Sequence, residues 1–371
     1  MAVTTPQALG SGEREAGRSP QHLASLDGLR GFAALSVLIF HLGHWFDIPG
    51  LASNASLAVD LFFCLSGFVL SLAYGKRRQS LSFSGFMRAR LIRLMPLIVL
   101  GLVVSALYVG LRSGHLEGEV PFAALTLALL LGLVNLPYPD APGAIGGPQV
   151  FPLNGPQYSL FLELAVNAFW WATRRVSQLP LAIALFLGCL AVLPFTGLGG
   201  DTTDTFWRGF PRVGASFFAG VAVFHLLDRL PRWLGGPRLF WMLAAGMAVL
   251  FYLPFEVPLW MQLVWIALLA PLLILAGART ALQGRIAAWS SLSGDLSYPI
   301  YCLHYPLFCW INGLYRLRFG EQNAGIEGPV VIVIVCVASF VLLKLYDEPL
   351  RRALAEGVRR WTYRPASSAG A

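Results

Sequence analysis

Residues 25–45 read SLDGLRGFAALSVLIFHLGHW. The stretch is apolar, and about 20 helical residues at 1.5 Å rise cover the roughly 30 Å hydrocarbon core of a bilayer. Yet it carries Asp27, Arg30 and His41. An ionisable side chain at membrane depth is costly and marks a partner or a function. Arg30 and His41 are eleven residues apart, close to three whole turns. They therefore share one helix face, about 16 Å apart along the axis. Asp27 lies near the same stripe. The expectation is a retained membrane helix with polar groups aligned along one side, not a cleavable leader.

The rest of the chain agrees. Of its 371 residues only 12% are charged, while 56% are hydrophobic and 13% aromatic. A soluble domain carries roughly 25% charge, so soluble, fibrous and disordered classes are excluded. The net charge of +8 would suggest nucleic acid in a soluble protein. Here the basic residues sit in short loops between apolar segments, where they report topology, and no nucleic-acid partner is expected. Five cysteines, Cys64, Cys189, Cys302, Cys309 and Cys336, lie inside apolar runs without a CxxC pair. They read as small buried hydrophobes, and neither a disulfide framework nor a metal site is expected.

Eleven apolar segments approach spanning length, at 26–47, 56–74, 91–111, 121–137, 157–173, 179–197, 207–227, 238–256, 258–278, 294–313 and 328–346. Basic clusters fall at Lys76–Arg77–Arg78 with Arg88 and Arg90, at Arg174–Arg175, at Arg229, Arg232 and Arg238, at Arg279 and Arg285, and at Arg351, Arg352, Arg359 and Arg360. The 198–206 loop has no Lys or Arg. Placing the clusters in the cytoplasm puts both termini inside, which demands an even number of spans. The short 121–137 segment, which runs into a Pro/Gly-rich stretch, is the one expected not to cross. The expected fold is all-α: a polytopic bundle of about ten transmembrane helices, with loop 138–156 outside. Residues 1–24 read as a disordered cytoplasmic N-terminus, 25–350 as the membrane domain and 351–371 as a basic cytoplasmic tail.

Other polar residues stand inside the apolar runs. Arg90 and Arg93, in RARLIRLMP, are three apart and share a helix face at the cytoplasmic mouth. Paired guanidinium groups there suit a phosphorylated ligand, whereas Arg88 reads as plain positive-inside anchoring. Glu163, in QYSLFLELAVNAFWW, lies at a depth similar to that of His41. A carboxylate beside an imidazole fixes its tautomer, which makes Glu163 a candidate partner of His41. Asp60 reads as the structural partner of a buried arginine or a helper of the site. Arg208 and Arg212 at the outer mouth read equally as acceptor-side or structural. Asp295, Tyr298, Tyr301 and His304 share one segment, where tyrosines also serve as interface anchors.

Taken in order, LDGLRGFAALSVLIFH, VDLFFCLSGFVLS, RARLIRLMPL, QYSLFLELAVNAFWW, LSYPIYCLHYPLF and YDEPLRR resemble acyltransferase family 3, bacterial integral-membrane O-acyltransferases that act on carbohydrates. The resemblance spans about residues 24 to 352. It implies ten transmembrane helices with cytoplasmic termini in a bacterial inner membrane. It implies an acyl-CoA donor, commonly acetyl-CoA, as substrate rather than a bound cofactor, and a carbohydrate or lipid-linked sugar acceptor. His41 matches the family's essential histidine, Arg30 its partner, Arg90 and Arg93 an RxxR pair suited to the CoA phosphates, and Glu163 the acidic residue of an SLxxE-like segment. Two departures stand out: Tyr158 replaces the usual Trp before Ser-Leu, and a usual acidic pair is reduced to Glu163, beside Leu162. No C-terminal esterase-type domain is expected.

Under this reading His41 takes the acceptor hydroxyl's proton as general base, or is itself acylated as the nucleophile. Glu163 or Asp27 orients it, and Arg30 stabilises negative charge. Both routes stay open at this point. The alternative class is a multi-pass transporter or an anion- or proton-coupled carrier, since buried Arg, His and Glu also build relays. No internal repeat of the kind many carriers show is visible. A structural scaffold would leave the line of intramembrane charges without a purpose.

Overall fold

The computed structural model describes residues 23–75, 82–112 and 120–362. The Lys76–Arg78 cluster, nearly all of segment 1–24 and the end of the tail lie outside the described residues. In chain order the helices are α1 (Ala24–Trp45), α2 (Ala58–Tyr74), α3 (Phe83–Arg112), α4 (Phe122–Leu133), α5 (Gln157–Ala172), α6 (Gln178–Thr196), α7 (Thr203–Phe206), α8 (Gly209–Leu226) and α9 (Pro237–Phe251). Then come α10 (Leu259–Val264) and α11 (Ala270–Ala278), joined by a π turn, α12 (Gly284–Phe319), α13 (Ala324–Leu342), a second π turn at Leu343–Asp347, and α14 (Glu348–Thr362). The protein is an all-helical polytopic membrane bundle.

Among the described residues, eight helical stretches are long and apolar enough to cross a membrane. About ten spans are expected from the loop charges; α5 (16 residues) and α12, with its many polar residues, do not meet the same length and composition. At 12 residues α4 is about 18 Å long, well short of a roughly 30 Å core, as expected for the segment that does not cross. Three elements exceed their sequence bounds. α3 begins at Phe83, α12 runs 36 residues, and α14 carries the helix to Thr362, into the stretch read as a tail.

Small residues let the helices that matter approach closely, the packing mode that replaces the hydrophobic effect inside a bilayer. A Cβ on Gly31 of α1 would lie 2.4 Å from that of Ser293 on α12, and one on Gly67 of α2 would lie 2.0 Å from the Phe217 carbonyl oxygen of α8. Polar groups then lock the pairs. Arg212 donates to both oxygens of Asp60 at 2.9 and 2.7 Å and to the Ser56 carbonyl at 2.9 Å, while Ser216 donates to Asp60 at 3.0 Å. The buried arginine expected as the partner of Asp60 is thus Arg212. Arg208 lies exposed.

The outer connection 134–156 folds inward. Ile145, Val150, Phe151, Leu153 and Asn154 are buried. Pro306 has no N–H to give the carbonyl four residues earlier, and Asn154 Nδ2 donates to that carbonyl, Cys302 O, at 3.1 Å. Val150 N donates to Asp201 O at 2.7 Å. The loop thus packs onto the bundle, held in part by these hydrogen bonds.

Candidate active site

Five helices line one cleft that opens to the surface. α1 supplies Arg30, α2 Ser66, α3 Arg90 and Arg93, α5 Ser159 and Glu163, and α12 Ser297, Tyr298 and Tyr301. Arg30 and Arg90 stand within the first third of α1 and α3, at the end that the basic clusters assign to the cytoplasm.

The two arginines of the RxxR spacing have different surroundings. Arg90 is 9% exposed. Its Nη2 donates to Glu163 Oε1 at 2.7 Å, and Ser66 Oγ donates to the same oxygen at 2.9 Å. Arg90 Nε is buried without a hydrogen-bond partner. Arg93, one turn on, is exposed and makes no ion pair among the described residues. Arg30 spreads its donors over the Gly294 carbonyl at 3.2 Å, Ser297 Oγ at 3.1 Å and Asp27 Oδ1 at 3.4 Å. The cleft wall therefore holds three guanidinium groups against one carboxylate, Glu163. That excess suits an anion with several oxygens, above all phosphate.

His41 is elsewhere. It does not line the cleft but packs among Phe40, Trp45 and His304, with ring centroids 5.2, 5.2 and 5.1 Å away. Trp45 in turn stacks on Phe308 at 3.9 Å. Tyr301 connects the two regions. It lines the cleft, its hydroxyl is 2.7 Å from Ser159 Oγ, and its ring is 5.9 Å from that of His304.

One sequence expectation needs correction. Glu163 makes no hydrogen bond or ion pair with His41; its oxygen is taken by Arg90 and Ser66. Asp27 pairs with Arg30, and fourteen residues of helix, about 21 Å, separate it from His41. Matching depth along two helices says nothing about which faces meet, and the faces of Glu163 and His41 do not. The structure therefore brings together Arg30, Arg90, Arg93 and Glu163, with Asp27 at the edge, and sets His41 apart. Sequence reasoning missed Ser66, Ser159 and Ser297 and undervalued Tyr298, Tyr301 and His304. The only signal for the last three was their grouping in YPIYCLHYPLF.

The cationic cleft and the imidazole thus lie about 16 Å apart along one helix. A family model described as an acyltransferase domain matches residues 23–344. The chain belongs to acyltransferase family 3. It is a membrane O-acyltransferase. Protein 2 in the picA locus of Rhizobium radiobacter is 38% identical over 185 residues, covering 45% of this chain and 91% of that protein. The acyltransferase MdmB of Streptomyces mycarofaciens is 26% identical over 367 residues, covering 90% of this chain and 92% of its own. The O-acetyltransferase OatA of Staphylococcus aureus is 35% identical over 85 residues, 22% of this chain and 13% of OatA. No solved structure matches the acyltransferase. Among its described residues no three His, Cys, Asp or Glu side chains are grouped to hold a metal ion.

Proposed function

We propose that this acyltransferase moves an acetyl group from acetyl-CoA, bound from the cytoplasm of a bacterial cell, to a hydroxyl of an envelope or exported carbohydrate. The cationic cleft is the observation that carries this reading. Arg93, exposed and without an ion pair, and Arg30 meet the phosphates of CoA. Arg90 is held by Glu163 and Ser66 and presents its remaining donors to the same group. Glu163 thereby acts on the donor side, as the residue that aims Arg90. The extended pantetheine arm of CoA is comparable in length to the rise from Arg30 to His41 and carries the thioester toward the imidazole.

His41 then serves as general base. The acceptor oxygen attacks the thioester carbonyl, and its proton passes to His41. The C–S bond breaks, and the proton returns to the departing thiolate. The products are the O-acetyl ester and CoA-SH. An acetyl-histidine route uses the same residue in two steps and differs in leaving label on the protein when acceptor is withheld. The O-acetyltransferase name of OatA supports the acetyl donor.

The test is transfer of label from radiolabelled acetyl-CoA to envelope glycan, using membranes that contain the wild type or His41→Ala in equal amount. Label in glycan with the wild type alone is the expected result. Equal label with both would remove His41 from the mechanism. Uptake of substrate into vesicles without CoA release would return the protein to the carrier class.

A further inference from the structure

His304 is fully buried, at 0% exposure, and the mechanism above does not use it. Its Nδ1 lies 3.0 Å from the Ile300 carbonyl oxygen, one turn earlier on α12. A carbonyl only accepts, so the hydrogen is on Nδ1 and Nε2 is a bare lone pair. That Nε2 is buried and has no hydrogen-bond partner. A buried acceptor left unpaired bears its desolvation penalty uncompensated, and native interiors keep few of them. The neighbouring ring is His41, with centroids 5.1 Å apart and planes 31° from one another. Two imidazoles joined by an N–H···N bond of about 2.9 Å have their centroids roughly 5 Å apart. The structure records no hydrogen bond between the two rings, but their spacing leaves room for one once His41 turns about its soft χ2.

We infer that His304 is the positioning residue of His41, in the place where sequence reasoning expected a carboxylate. With His304 Nε2 as acceptor, one nitrogen of His41 must carry hydrogen. The other is then free to take the proton of the acceptor hydroxyl. The partner of one ring nitrogen decides the state of the other, as it does for metal-bound histidines. When His41 has gained that proton, the bond to His304 persists and shares the positive charge. Trp45 lies nearly parallel to both rings, at 21° and 28°, so its π face meets the same charge. A neutral pair suits this depth better than His–carboxylate, since it avoids burying a second full charge.

The inference rests on His41 as base, and the experiment separates the two. Wild type, His41→Ala, His304→Leu and His304→Gln are purified in detergent, checked for monodispersity, and assayed for acetyl transfer to envelope glycan against acetyl-CoA concentration. His304→Leu should lower kcat at least a hundredfold and leave KM for acetyl-CoA within twofold. His304→Gln, whose amide oxygen offers an acceptor near the position of Nε2, should recover at least tenfold over Leu. His304→Leu within threefold of wild type, with His41→Ala inactive, would overturn the role of His304 alone. Leu and Gln equally impaired would make His304 a packing residue and overturn it as well. An active His41→Ala would overturn the base and this inference together. Nitrogen-15 imidazole spectra of the protein in lipid nanodiscs give a readout that needs no acceptor. His304 should carry its hydrogen on Nδ1, and His41 should show one tautomer in wild type and both in His304→Leu. Hydrogen on Nε2 of His304 would refute the arrangement.

Discussion

Two of the arginine–carboxylate pairs in this bundle, Arg212–Asp60 and Arg90–Glu163, have little in common beyond their chemistry. Arg212 and Asp60 have side chains 5% and 1% exposed, and Asp60 Oδ1 takes a further bond from Ser216. Arg90 and Glu163 are 10% and 18% exposed, share a single oxygen, border a cleft and leave Arg90 Nε unpaired. The first pair is closed and holds α2 against α8. The second is open, with donor capacity left for something that is not protein. An intramembrane charge is a functional candidate by default, and the satisfaction of its hydrogen bonds is what sorts structure from site.

The comparison breaks most severely at the closed pair. Asp60→Ala leaves Arg212 charged and buried, which costs about 3–5 kcal/mol. The expected outcome is loss of folded protein from membranes, read by size-exclusion elution and thermal melting. Asp60→Leu combined with Arg212→Met should restore the folded yield, because apolar replacement of a whole buried pair is close to neutral. A dead but well-folded double variant would move this pair into the catalytic machinery.

At the open pair the effect should fall on activity instead. Glu163→Gln keeps the shape of the side chain and weakens a charge-assisted contact of about 1.5–3 kcal/mol. Acetyl transfer should drop ten- to a hundredfold with the melting temperature nearly unchanged. Arg93→Ala should act more mildly, raising KM for acetyl-CoA about tenfold, equivalent to ~1.4 kcal/mol, at constant kcat. A fall in kcat with KM unchanged would take Arg93 off the donor site.

The smallest effect belongs to a carboxylate with no ion pair among the described residues. Asp201, in the outer loop, has its carboxyl pushed above the usual range, first by burial. A raised carboxyl favours the folded state at low pH and loses that contribution as pH rises through its folded pKa. Asp201→Asn should therefore melt at or slightly above wild type at neutral pH, by less than about 1 kcal/mol, and the difference should vanish or reverse under acid. Transfer activity should not change.

Much of this architecture was legible in the chain. Hydropathy marked out the apolar helices, and the shortness of α4 was visible in its segment. The common face of Arg30 and His41 followed from helical pitch alone. The alliance of Glu163 with Arg90 rather than His41 did not, nor did the place of His304 beside His41. Pitch gives depth and azimuth on one helix. Which neighbour each azimuth meets depends on close approaches such as Gly31 to Ser293, and these are fixed only when the helices of the bundle pack together. Serines were hidden for a related reason, since a helical hydroxyl can bond its own preceding turn, as Ser71 does with Gly67, and shows its outward role only in three dimensions.

The close seat of Gly31 against Ser293 has a consequence for donor choice. It joins α1, which bears Arg30 and His41, to α12, which bears Ser297 and His304, so both ends of the proposed reaction ride on one stiff strut. The interval between phosphate grip and imidazole is then set by helical rise and does not adapt to its guest. Such a strut is a gauge. A carrier with a full-length arm touches both ends at once. Acetyl phosphate, or a clipped thioester without the nucleotide, spans only one and forfeits either its anchorage or its chemistry.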